Sequence, residues 1–140
     1  MIKRQRLILL LITLLASPLQ AGVVVIVNAE NTVNDFNQRQ LVDLYMGRDL
    51  YFPNGQMALR LDQSPDSKVR KNFYANLVGK TVAQVNAYWA RLLFTGRASP
   101  PQVIRNSKDV LKAIRNNFNA VGYIDEKDLE DGVRVIAHVD

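Results

Sequence analysis

The chain has 140 residues, 48% of them hydrophobic and 22% charged, with 18 basic side chains against 13 acidic and no cysteine. That length and apolar share describe one globular domain with its own core and exclude a disordered chain. The formal charge of +5 points to nucleic acid only until its location is noted.

Residues Met1 to Ala21 read MIKRQRLILLLITLLASPLQA, with Lys3, Arg4 and Arg6 ahead of an apolar run from Leu7 to Ala16. A basic start, a short apolar stretch, the helix-breaking Ser17-Pro18 pair and the small Ala21 form the pattern of a cleavable secretory signal peptide. The apolar run is about half of the ~20 residues needed to span a bilayer. Residues 22–140 are then the single mature domain, 119 residues with 15 basic and 13 acidic side chains. The case for nucleic acid falls away, and a periplasmic location without membrane insertion is expected. With no disulfide available in an oxidising compartment, stability must come from burial.

Val23 to Val27, VVVIV, is a continuous β-branched run that predicts a strand buried on both faces, the kind found inside parallel sheets. A polar stretch follows, and then a short amphipathic helix over Gln38–Met46, with Asn37 as N-cap, Leu41, Leu44 and Tyr45 on its apolar side and Gly47 as its stop. YFPNGQ, residues 51–56, has the composition of a turn leading into a second strand, Met57–Leu61. Ser64, Pro65 and Asp66 read as the N-cap and first turn of a helix that buries Val69, Phe73, Leu77 and Val78 and ends at Gly79. Thr81 and Gln84 stand in capping-box spacing at the start of a third helix, with Val82, Val85, Tyr88, Trp89 and Leu92 on its apolar side. A short strand over Gln102–Arg105 follows. A fourth helix is capped by Ser107 and buries Val110, Leu111, Ile114 and Phe118, and the last strands are Ala120–Ile124 and Val133–Ile136. Strands alternating with helices predict one layered α/β structure.

Catalytic chemistry has few candidates. The only histidine, His138, stands near the C-terminus in a segment expected to fray, and no second histidine exists to build a metal site or a proton relay. Asp125, Glu126, Asp128, Glu130 and Asp131 cluster around Lys127, but they lack the ligand spacing and central glycine of a calcium loop and read as a solvated turn. Trp89 sits at helical spacing among apolar residues and reads as core rather than a sugar platform. No residue proposes a nucleophile with its base, and no cofactor or metal is implied.

RLDQSPDS, Arg60 to Ser67, is the one segment with sharper chemistry. A strand puts Arg60 and Asp62 on one face, and the chain then enters a helix start, where unpaired N–H groups and partial positive charge favour anions. The hydroxyls of Ser64 and Ser67 and the Arg60 guanidinium would complete an anion pocket. Spacing alone leaves a second reading open, in which Ser64 merely caps the helix and Arg60 pairs with Asp62.

The order of VVVIVNAENTVNDFNQRQLVDLYMGRDLYFPNGQ, LRLDQSPDSKVRKNFYANLVG and AVGYI resembles the substrate-binding proteins of phosphate ABC transporters, of the periplasmic binding protein type, over most of residues 23–136. Gly47 with Arg48, and Gly122 with Tyr123, fall where that family has its basic helix stop and its Gly-Tyr strand. The resemblance implies one α/β lobe of the type 2-like architecture, three layers deep, with a mixed sheet of about five strands flanked by helices. It also implies that Arg60 grips the anion, Asp62 accepts a hydrogen bond from protonated phosphate and Ser64 belongs to the helix start. Pro65 and Asp66 depart from the family's Gly and Thr, removing an N–H and adding negative charge. Ser67 would restore a hydroxyl, and Thr95 and Arg97 in FTGRASPP would extend the rim. A domain of this size matches one lobe of a two-lobed family, so weak, non-enzymatic binding of a phosphate-like oxyanion is expected, completed by a second subunit or another envelope protein. The alternative is a lobe that has lost its ligand and serves as an interaction or assembly module of the cell envelope.

Overall fold

β1 (Val23–Asn28) is buried on both faces because side chains alternate across a strand and both faces are covered. Val23, Val25 and Val27 meet one helix layer, whereas Val24 and Ile26 meet the other. The computed structural model describes residues 22–140; the signal peptide read over residues 1–21 lies outside them. The sheet has five strands in the order β3-β2-β4-β1-β5, formed by β1, β2 (Leu59–Gln63), β3 (Gln102–Ile104), β4 (Ala120–Asp125) and β5 (Val133–Val139). It is mixed: β2 runs parallel to β3 and β4, while β1 runs antiparallel to both β4 and β5. The expectation of a parallel surround for β1 is therefore corrected. Burial on both faces needs cover above and below, and antiparallel neighbours meet it equally well.

Three helices cover one face: α1 (Gln38–Tyr45), α2 (Lys68–Val78) and α3 (Val82–Phe94). Their apolar stripes, with Leu41, Leu44, Phe73, Leu77, Val85 and Trp89, form the larger core. α4 (Ser107–Asn116) covers the other face through Val110, Leu111 and Ile114. The result is the expected three-layer α/β lobe. Among the described residues no helix is long and apolar enough to cross a membrane.

Several expected boundaries hold. Asn37 caps α1 and Thr81 caps α3, each completing a capping box with a glutamine three residues on. Others move for identifiable reasons. β2 begins at Leu59, not Met57, because Met57 bridges Tyr51 to close the turn over residues 51–57. It also runs on through Asp62 and Gln63, whose polar groups are paired inside the protein. Ser64 is not the cap of α2. Ser67 is, accepting from the Arg70 N–H at 3.2 Å, while Ser64 O accepts from the Ser67 N–H in the turn that holds Pro65 and Asp66. Asn106, not Ser107, caps α4. Phe118 lies beyond α4 and is 44% exposed, so it is not a core residue. His138 stands within β5, paired opposite Val24, rather than in an unpaired end.

Gly122 on β4 leaves no room for a side chain beneath α4: a Cβ there would meet Val110 Cγ1 of α4 at 2.7 Å and Leu61 Cβ of the neighbouring β2 at 3.4 Å. Gly122→Ala is expected to lower unfolding free energy by about 1–3 kcal/mol through overpacking, measured by urea denaturation. An unchanged midpoint would show that α4 is free to shift.

Candidate functional site

The alternation of β2 places Leu61 toward α4 and turns Arg60 and Asp62 together toward α1, α2 and α3. The sequence thus predicts their shared face correctly. It does not predict that this face is sealed.

Asp62 is 3% exposed, and its carboxylate is closed by four groups. Tyr74 donates to Oδ2 at 2.7 Å, and Tyr123 and the Gln63 N–H (2.8 Å) donate to Oδ1. The Arg70 Nε lies 3.8 Å from Oδ1 as the ion-pair partner. Arg70 itself is 4% exposed and donates to Gln63 O at 3.1 Å and Asn86 Oδ1 at 2.7 Å. The third buried phenol, Tyr45, donates to Leu61 O at 3.0 Å. The Tyr45, Tyr74 and Tyr123 hydroxyls are all pushed well above the ordinary tyrosine range, first by burial and then by the nearby Asp62 charge. At 3% exposure and with both oxygens already accepting from internal donors, Asp62 is not presented to solvent as an acceptor.

Arg60 is also covered, at 7% exposure, but it is not paired with Asp62. It donates to Leu44 O at 3.4 Å and Ser99 O at 2.7 Å and lies over the Trp89 ring, 5.7 Å from its centroid. Among the described residues no carboxylate comes within 4.0 Å of it. Burial lowers its pKa from the ordinary arginine value, partly offset by the tyrosines Tyr45 and Tyr74. Trp89, 5% exposed, is core as the sequence indicates, and its indole N–H has no partner.

The remaining expected site residues lie elsewhere. Ser64 donates to Arg105 O at 3.1 Å, and Ser67 donates to Gln63 Oε1 at 2.9 Å. Ser67 borders a cleft of about 590 Å³ between the starts of α2 and α4, together with Gln63, Arg105, Ser107 and Lys108. Asp66, Asp128 and Glu130 line the same cleft, so acidic side chains outnumber basic ones there. Thr95 and Arg97 border a separate depression with Tyr88, Arg91 and Leu92. The loop that holds them accepts a hydrogen bond from Arg60 at the Ser99 carbonyl. The structure therefore does not gather Arg60, Asp62, Ser64, Ser67, Thr95 and Arg97 into one pocket.

Two residues missed in the sequence organise this region. Gln63 donates to Ser107 Oγ at 3.1 Å and Tyr123 O at 2.9 Å while accepting from Ser67, joining β2 to α2, α4 and β4. Arg70 supplies the buried positive charge beside Asp62. The available signal was three tyrosines, at 45, 74 and 123, in otherwise apolar stripes, because buried phenols require acceptors.

The fold is that of phosphate ABC transporter substrate-binding proteins. An ABC-type phosphate transport receptor from Vibrio cholerae superposes with a TM-score of 0.66 at 18% identity, over 82% of this chain and 45% of its own. A putative phosphate ABC transporter substrate-binding protein from Clostridium perfringens, solved with bound phosphate, gives 0.66 at 19% identity, over 82% and 44%. PstS from Borrelia burgdorferi gives 0.63 at 12% identity, over 83% and 46%. The chain spans less than half the length of each, the extent of a single lobe. No protein-family model and no curated protein matches the sequence.

Two outcomes follow from the closed network. Asp62→Ala leaves Arg70 buried without its carboxylate, and calorimetric or urea unfolding should show a loss of about 3–5 kcal/mol. At high pH the unfolded chain releases phenolic protons near pH ~10, whereas folded Tyr45, Tyr74 and Tyr123 retain theirs. Their contribution is fully present below that pH and falls above it, by up to about 1.4 kcal/mol per pH unit for each phenol. Phenolate absorbance from these three should rise together with loss of near-UV circular dichroism; ionisation in the folded state would contradict the network.

Proposed function

We propose that the domain is an exported, non-enzymatic binding module of the cell envelope, and that its ligand is a partner protein rather than a free oxyanion. The observation that carries this reading is the closure of Asp62. The carboxylate that the family resemblance assigns to protonated phosphate is occupied by Tyr74, Tyr123, the Gln63 amide and Arg70. The neighbouring cleft adds no net attraction for a dianion, because Asp66, Asp128 and Glu130 there offset Arg105 and Lys108. The periplasmic location rests on the basic and apolar character of residues 1–21.

Titration of the protein with inorganic phosphate into the millimolar range should give no saturable heat. A pull-down from envelope extracts should retain the same partner with and without phosphate. A phosphate-dependent partner, or a saturable phosphate isotherm, would overturn the reading.

One observation favours a second reading, weak capture of a phosphate-like oxyanion. Arg60 is a desolvated cation with two carbonyl contacts and no carboxylate, and an anion would offset the cost of burying it. Access would require the Ser99 loop to move aside, which keeps affinity weak. On this reading phosphate gives a saturable isotherm that Arg60→Ala abolishes; an isotherm unaltered by that substitution would place the anion elsewhere.

A further inference from the structure

A second concavity, about 540 Å³, lies on the other side of the α2 start from the acidic cleft. Its floor is apolar, with Pro65, Ala75 and Val82. Its rim carries Lys68 and Lys71 from α2 and Lys80 from the α2–α3 connection. Lys68, Lys71 and Ala75 are three and four residues apart and share one helix face. Among the described residues none of the three lysines has a carboxylate within 4.0 Å. This is an exposed groove with an apolar floor, lined by three lysines against one carboxylate, Asp66.

The same molecule displays the complement. The segment Glu126–Asp131 carries four acidic side chains and one lysine around Leu129, an apolar residue 42% exposed to solvent; Glu130 pairs with Arg115 at 2.9 Å, while Glu126, Asp128 and Asp131 have no basic partner within 4.0 Å among the described residues. Asp128 and Glu130, on either side of Leu129, wall the acidic cleft, and that cleft and the basic groove meet at Asp66 and Ser67. Basic groove and acidic, leucine-tipped turn thus stand side by side across the first turn of α2. A two-fold axis near that turn sets each patch against the opposite patch of another copy, the self-complementary arrangement of an isologous dimer. The chain's own N-terminal segment is a poor occupant, because Lys3, Arg4 and Arg6 carry the same sign as the rim.

We infer that the domain forms a two-fold homodimer in which the Leu129 turn of each copy docks in the Lys68–Lys71–Lys80 groove of the other. The apolar tip supplies burial, while the surrounding charges set register and salt dependence.

Sedimentation equilibrium of the purified protein, at concentrations up to about 1 mM, should show a concentration-dependent dimer that weakens as salt is raised. The charge-reversed variants Lys68→Glu/Lys71→Glu and Asp128→Lys/Glu130→Lys should each raise the dimer dissociation constant about tenfold or more. Mixed together they should form a heterodimer, since the reversed groove then meets the reversed turn, and circular dichroism would verify that both variants are folded. A protein monomeric at every concentration overturns the proposal. So does a dimer indifferent to both reversals, or a pair of reversed variants that fails to associate on mixing. None of these outcomes depends on phosphate, so the dimer and the partner-protein reading stand or fall separately.

Discussion

A carboxylate in the interior of a β-strand is tolerated only when its charge and lone pairs are met within the protein. Asp62 meets that condition through two phenols, one backbone amide and one guanidinium, supplied by β4, by the strand itself and by α2. Much of the lobe's geometry is tied to this point. Arg70, held by Gln63 and Asn86, fixes α2 against α3, and the Gln63 side chain fixes the starts of α2 and α4. Phe73 and Tyr123 stack with ring centroids 3.9 Å apart, packing the apolar flank of the same network.

Burial bears on what the two charged residues can reach. A helix start beside a strand that carries Arg and Asp can be an anion grip, but only while the Asp is free to accept and the Arg is free to donate outward. Here the Asp has been drawn into the core, and the Arg rests on Trp89 under the Ser99 carbonyl. Pro65 and Asp66 occupy the turn where backbone donors would otherwise face a ligand. The lobe has the fold of phosphate ABC transporter substrate-binding proteins, and within it Arg60 and Asp62 are both engaged by internal partners.

Much of the fold was legible because hydrophobic periodicity and caps act locally. VVVIV, the Asn37 and Thr81 capping boxes and the stripes of α3 and α4 each carry their own signal within one short window. The start of α2 lies three residues beyond the reading from sequence because Ser64 and Ser67 are equally good caps locally, and Ser64 is drawn away by the Arg105 carbonyl, 41 residues distant. The candidate site was legible only as a shared face for Arg60 and Asp62. Which tyrosines and which arginine close on Asp62 depends on contacts 8 to 61 residues away in sequence, and no local pattern encodes them.

The central claim is that the Asp62 carboxylate is consumed by internal partners. A double-mutant cycle tests it most directly, combining Asp62→Asn with Tyr74→Phe and measuring unfolding free energies of the parent, both single variants and the pair. A coupling energy of about 1 kcal/mol or more is predicted, since one substitution removes the charge and the other the donor of the same charge-assisted hydrogen bond. Strict additivity would mean that the carboxylate and the phenol do not depend on one another, and would contradict the account.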